Sequence, residues 1–310
     1  MGQLAAHTGR DVILYSTKWT DPSDVPPDLL SITEEDIQGF MEVVHGLRKS
    51  DLDIILHSPG GSPVAAEAIV KYLRKKFSNI RIIVPQAAMS AATMFACAAN
   101  RILLGKHSFL GPVDPQFILH TPLGIRMVPA QAILDQFQMA QEECKDTQKL
   151  ASWLPILSQY GPGLLIECKN AVALSKKLVK EWLTQYMFQG QKRSAYKASI
   201  VARSLADHKE YKTHSRHLSR DDCKGLGLMI DDLEQDQSLQ DLVLSVFHSS
   251  TMTFNLTPAV KIIENQNGKA FVKLSGAVRI AGKPQISPPL HPQQAPPIGP
   301  PPVSIPTGSN

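Results

Sequence analysis

The chain has 310 residues, 43% of them apolar and 19% charged, with a formal net charge of +4. That balance supports a folded chain with a sizeable core and argues against a nucleic-acid binder, because the lysines and arginines of 169–212 recur along helical segments with glutamates among them, as on a solvated face. The apolar runs 80–84 and 87–99 are too short or too alanine-rich for a membrane span, and no charged flank leads into a hydrophobic segment at the N-terminus.

The opening Met1-Gly2 has Ala6 where a myristoylation signal wants Ser or Thr. Cys97, Cys144, Cys168 and Cys223 are scattered with no CxxC pair, so reduced thiols and a cytoplasmic location are expected, without a zinc ribbon, disulfide framework, metal or other cofactor.

In chain order, 12–15 reads as a strand. Thr33-Glu34-Glu35-Asp36 places a capping hydroxyl and three carboxylates at the start of a helix with Ile37, Phe40, Val44 and Leu47 on one face. A strand over 52–56 runs into Ser58-Pro59-Gly60-Gly61-Ser62. There Ser62 caps and Pro63 opens a helix that buries Ala65, Ala68, Ile69, Tyr72 and Leu73 and turns Lys71, Arg74 and Lys75 to water. The continuous apolar run 80–84 predicts a strand buried on both faces, hence a parallel sheet with helices on either side. A helix at Ser90 and a strand over 101–104 complete an α/β core with right-handed crossovers.

The second half reads as mainly helical, over 129–148, 171–187 and 193–209, with a short helix from Ser219 that stops at Gly225 and Gly227 and another over 239–248. Asn267-Gly268 between two β-rich runs predicts a type I′ hairpin over 259–274, expected as a peripheral arm. From 284 onward prolines dominate and aromatic and acidic residues are absent, which predicts a disordered polyproline II tail. Its Pro297-Ile298-Gly299-Pro300 fits a PxxP pattern but lacks an adjacent basic residue, so an SH3-type partner is only weakly indicated. The expected division is a folded domain over 1–275 and a tail over 276–310.

Chemistry concentrates at two strand ends. Ser90 lies among small residues between an apolar strand and an apolar helix, and Gly60-Gly61 follows a second strand about thirty residues earlier. A hydroxyl and glycine N–H groups brought together in this way are the minimum equipment for acyl transfer. The α/β-hydrolase signature G-x-S-x-G is only imitated by Ala88-x-Ser90-x-Ala92. Gly225-Leu226-Gly227 lacks the third glycine of a dinucleotide fingerprint and ends a helix. His208, His214 and His217 have no HExxH spacing for a metal.

Ser58-Pro59-Gly60-Gly61-Ser62, Ala87-Ala88-Met89-Ser90-Ala91-Ala92 and Leu110-Gly111-Pro112-Val113-Asp114-Pro115-Gln116 resemble the Clp/crotonase-fold serine peptidases. Within that superfamily, Thr213-His214, Asp221-Asp222-Cys223-Lys224-Gly225 and the 242–272 region are similar to the serine dehydrogenase proteinases. The resemblance covers roughly residues 10–275 and implies an α/β fold, ClpP/crotonase-like, of repeated β-β-α spiral units with a helical and β-hairpin C-terminal extension. It implies Ser90 as nucleophile, Gly61 and Ala91 as the oxyanion-hole donors, and Asp114 and His214 as the rest of the triad. An imidazole can take the serine proton while a carboxylate fixes its tautomer. Asp114 also reads as a turn residue bonding local N–H groups, and His214 as a surface histidine.

A Ser/Lys dyad is the rival, with Lys145 at a comparable distance after the serine, although its acidic neighbours would keep it charged. Ala92 departs from the glycine common two residues after the nucleophile, and its methyl is expected to narrow the site. The resulting expectation is a serine peptidase acting on peptides or unfolded protein, ATP-independent by itself and homo-oligomeric, with a catalytically weak or silent scaffold of the same fold as the non-enzyme alternative.

Overall fold

The computed structural model describes residues 1–21, 25–121 and 124–276, which belong to one compact unit. The strands are β1 (Asp11–Thr17), β2 (Asp51–His57), β3 (Asn79–Val84), β4 (Ala87–Ala88), β5 (Arg101–Leu104), β6 (Phe109–Leu110), β7 (Gln116–Thr121), β8 (Gly124–Pro129), β9 (Leu218–Ser219), β10 (Ile230–Asp232), β11 (Ala259–Asn265) and β12 (Ala270–Leu274). Seven form one sheet in the order β10-β5-β3-β2-β1-β11-β12, and β4-β6-β9 and β7-β8 form two smaller ones.

The sheet is parallel from β10 to β1, as the unbroken apolar strands require, and antiparallel at β11 and β12. Side chains alternate between two cores. Ile13, Tyr15, Ile54, Leu56, Ile82 and Val84 pack with the helices Asp36–Val44, Pro63–Arg74 and Ala91–Cys97. Val12, Leu14, Ile55, Ile83 and Leu103 face Leu4 of the helix Gly2–Thr8 and Leu239, Val243 and Phe254 of the helix Gln237–Leu256. The result is a mixed α/β layered fold with helices on both faces of a large sheet.

Several expectations change. The 259–274 hairpin is not a peripheral arm: β11 pairs with β1 along five residues, and its Val260, Lys261, Ile262, Ile263 and Asn265 are buried. Its Asn267-Gly268 turn is where the sequence placed it. A hairpin's composition does not say whether its edge is free, and here the open edge of β1 takes it.

Asp36 does open its helix, Asp36–Val44, but turns into the core. It is fully buried, accepts a hydrogen bond from Tyr15 Oη at 2.7 Å, and pairs with the equally buried Lys261 at 2.8 and 2.9 Å. Thr33 provides no cap, and its backbone N–H donates to Asp36 instead. Arg74 turns inward to Asn100 Oδ1 and the Ala98 carbonyl and lies 3.9 Å over the Tyr186 ring, while Ala68 is exposed and Ala66 and Val70 take its place in the core. Gln116–Thr121 and Gly124–Pro129 pair antiparallel as β7 and β8, which the periodicity did not announce, and the helix after them spans Ala130–Glu143.

Ser62 does cap its helix, accepting from Ala65 N at 3.2 Å, and Ser219 and Asp222 form a capping box. No helix among the described residues is long and apolar enough to cross a membrane. The proline-rich tail beyond Gly276, with its PxxP segment, lies outside the described residues.

His57, at the end of β2, sits between the rings of Trp19 and Phe247, with centroids 5.6 and 4.9 Å away, and its Nδ1 has no hydrogen-bond partner. Burial pushes its pKa down to about 4. Between its unfolded value near 6.5 and 4, only the unfolded chain takes up the proton. Stability is therefore complete above about pH 6.5 and falls as pH drops through that window, by about 3 kcal/mol in all. Denaturant melts from pH 7 to pH 4 should show this loss in the wild type, and His57→Gln should remove most of it; equal pH slopes for the two proteins would contradict the assignment.

Candidate functional site

The site forms at the C-terminal ends of two neighbouring strands. β2 leads into Ser58-Pro59-Gly60-Gly61, and β3 leads through β4 to Ser90. Ser58 N donates to the Ala87 carbonyl at 3.2 Å and Met89 N to the Ser58 carbonyl at 3.0 Å, which joins the two loops. Gly60, at φ +98°, passes so close to the second loop that a Cβ there would lie 2.5 Å from the Met89 carbonyl and 2.8 Å from Ser90 Cβ and from Ala91 N. Only glycine allows that approach.

Ser90 has φ 52° and ψ −121° at the N-cap of the helix Ala91–Cys97. A serine in this region costs roughly 1–3 kcal/mol, and such strain concentrates at functional positions. The turn resembles a strand-to-helix elbow that lifts the side chain out of the packing: Ser90 is half-exposed, whereas all seven helix residues after it are buried. Its Oγ has no hydrogen-bond partner among the described residues. The backbone N–H groups of Gly61 and Ala91 likewise donate to no described residue, although their neighbours do: Ser62 N to the Ile32 carbonyl and Ala92 N to the Met89 carbonyl. Two backbone donors are therefore left unpaired, one next to Ser90 in the chain and one in the neighbouring glycine loop.

Asp114 is buried, with 2% of its surface exposed. Its Oδ1 lies 2.7 Å from His214 Nδ1 and its Oδ2 lies 3.0 Å from His208 Nδ1. The loop carrying it is tied to the helix Ser194–Leu205 by Val113 N donating to the Leu205 carbonyl at 2.8 Å. That helix leads directly to Asp207, which caps His208–Tyr211, and then to His214. Asp114 is thus no local turn residue, since both of its oxygens reach about a hundred residues along the chain. With Nδ1 on the carboxylate, the other ring nitrogen of His214 is left for the cavity that the residue lines.

That cavity, about 640 Å³, brings Gly60, Gly61, Ser90 and His214 together with Trp19, Leu30, Met89, Met94, Val113, Ile118, Met127 and His217. Among the described residues no Asp, Glu, Lys or Arg lines it. His208 is the residue that sequence reasoning missed as a partner of Asp114; it had been weighed only as a metal ligand, and no local spacing links it to a carboxylate 94 positions earlier. Among the described residues no group of three or more His, Cys, Asp or Glu side chains forms a metal site.

Two expectations fail here. Lys145 does not line the cavity; it is largely exposed and ion-paired with Glu142 one turn back, so a Ser/Lys dyad has no geometric support. Ala92 does not narrow the site either, because its methyl is fully buried in the core and absent from the cavity lining.

Residues 32–249 match the ClpP-like SDH-type serine proteinases, and the chain belongs to that family. Two uncharacterized proteins of Methanocaldococcus jannaschii, MJ0137 and MJ1495, are each 28% identical to it, over 201 and 203 residues. Each match covers 64% of this chain but only 60% and 59% of theirs, so the chain spans about three fifths of the length of these relatives. Among solved structures, a serine-to-alanine mutant of the 1510-N membrane-bound stomatin-specific protease is similar over 64% of this chain and 74% of its own, at 14% identity and a TM-score of 0.37.

The glycine contact gives a direct check. Gly60→Ala meets both the positive φ and the 2.5 Å overlap, whereas Gly46→Ala, at φ +83° with nothing within 4 Å, meets only the first. Each should lose about 1–3 kcal/mol from backbone strain, and Gly60→Ala clearly more. Equal shifts of the urea midpoint would show that the loop yields without cost.

Proposed function

We propose that this chain is a serine peptidase in which Ser90 is the nucleophile. Family membership supports peptidase chemistry. The observation that carries the residue roles is the convergence, on one cavity, of a strained serine, the glycine loop at Gly61 and an imidazole held by a buried carboxylate, with the unpaired Ala91 N–H next in the chain to the serine. In this reading Ser90 Oγ attacks the scissile carbonyl carbon and His214 takes its proton. The carbonyl oxygen, now negative, accepts from Gly61 and Ala91 N–H, and His214 returns the proton to the leaving amine. Water then repeats the cycle on the acyl-enzyme. Asp114 holds the His214 tautomer, and His208 holds the second carboxylate oxygen. The lining, uncharged and methionine-containing among the described residues, suits apolar stretches of unfolded polypeptide.

A silent scaffold of the same fold is the second reading, favoured by the absence of a bond from Ser90 Oγ to His214. Catalytic hydrogen bonds are often long before substrate arrives, so a chemical test decides. A fluorophosphonate probe should label the wild type at Ser90 and leave Ser90→Ala unlabelled. His214→Ala should lose about three orders of magnitude or more in rate, His208→Ala less, and Lys145→Ala no more than about two-fold. Equal labelling of wild type and Ser90→Ala, or none in either, would leave the scaffold.

Self-association is also proposed. The β7–β8 hairpin turns Phe117, Leu119 and Val128 inward but leaves Ile118, Ile125 and Met127 more than 60% exposed, an apolar face unusual for a monomer. Sedimentation of residues 1–276 at micromolar concentration should give a mass of several chains; a single-chain mass would contradict it.

A further inference from the structure

We infer that Lys261 and Asp36 are positioning residues for the Gly61 donor, so that the C-terminal hairpin belongs to the catalytic apparatus although it lies beyond the residues that match the family. The inference rests on the peptidase reading above. Gly60 and Gly61 have no side chains to fix their peptide planes, and the segment that holds them is Ser31–Ile32. Ile32 N donates to the Gly60 carbonyl at 2.7 Å, Ser62 N donates to the Ile32 carbonyl at 2.9 Å, and a Cβ on Gly61 would lie 2.5 Å from both Ile32 N and Ile32 O. The direction of the Gly61 N–H is therefore set by where the Ser31–Ile32 backbone stands.

That backbone is in turn held from below. Lys261 Nζ donates to the Ser31 carbonyl at 2.6 Å and to both oxygens of Asp36, and Asp36 Oδ2 accepts from Thr33 N at 3.0 Å. Residues 31 and 33 are thus bonded, on either side of Ile32, to one buried ion pair. Tyr15 Oη fixes the same carboxylate from β1, and Lys273 Nζ reaches it from β12 at 3.8 Å. Both side chains of the pair have 0% exposure, so neither water nor salt can replace the contact. A buried pair of this kind is costly to form and specifies one arrangement of its surroundings. Here the surroundings are the wall of the donor loop, since Ser31 and Gly61 line the same cavity as Ser90.

The double variant Lys261→Met/Asp36→Asn removes both charges at similar volume and leaves no uncompensated buried charge. Full-length wild type and variant are compared by circular dichroism, by the rate of Ser90 labelling with the fluorophosphonate, and by hydrogen exchange of the Ile32 amide. Losing one oxyanion donor altogether costs ~100- to 1000-fold; a donor that is loosened should cost about 10- to 100-fold in the saturating rate. The half-saturating probe concentration should stay put, because neither substituted residue lines the cavity or contacts His214, and Ile32 should exchange faster.

A folded variant that labels at the wild-type rate overturns the inference while leaving Ser90 as nucleophile. Absence of labelling in the wild type overturns the peptidase reading and this inference with it. If the double variant does not fold, Asp36→Asn alone, which keeps an amide acceptor for Lys261, is held to the same outcomes.

Discussion

The close approach of Gly60 to the Met89–Ala91 backbone is the constraint on which the site depends. Two parallel strands end side by side, and their following loops can meet only because one carries no side chain at the crossing. Once they meet, Ser90 on one loop and Gly61 on the other line the same cavity, and the helix start after Ser90 leaves the Ala91 N–H unpaired. The strain in Ser90 follows from the same geometry: the chain must reverse from strand to helix within one residue, and a positive φ is how it does so. The small residues Ala91, Ala92, Ala96 and Cys97 are fully buried in the core and let the helix sit close against the sheet.

Charge is placed sparingly around this junction. The described residues of the cavity lining carry no formal charge, and the nearby carboxylate Asp114 sits behind the imidazole of His214. Both of its oxygens are occupied by histidine nitrogens, which keeps a buried anion satisfied. A dense ionic group, Arg10 and Arg81 on Asp53, lies toward the opposite ends of the strands, where it clamps β1, β2 and β3 without reaching the site.

The C-terminal hairpin changes the meaning of the sheet. Without β11, β1 would present an open edge and Asp36 a buried carboxylate lacking its cation; removing one member of such a pair costs about 3–5 kcal/mol. The hairpin therefore completes the fold, and through Lys261 it touches the segment that borders the glycine loop. Folding of the 1–276 unit and shaping of its cavity share one ion pair.

Local sequence determined a good deal of this molecule. Strand positions β1, β2, β3 and β5 followed from apolar runs, the Ser62 and Ser219 caps from hydroxyls before helices, and the Asn267-Gly268 turn from its dipeptide, because each is decided within a few residues by sterics or by the nearest hydrogen bond. Ser90 and Gly60-Gly61 could be singled out for the same reason, as hydroxyl and glycines at strand ends. What the sequence could not decide was anything set by contact between distant segments: that Asp36 turns inward to meet Lys261 225 positions later, that the hairpin joins β1, that Arg74 leaves solvent for Asn100, and that His208 shares Asp114 with His214. Exposure of a charged or polar side chain depends on which partner tertiary packing brings to it, and a partner a hundred residues away leaves no periodicity behind. Only the folded chain decided those pairings.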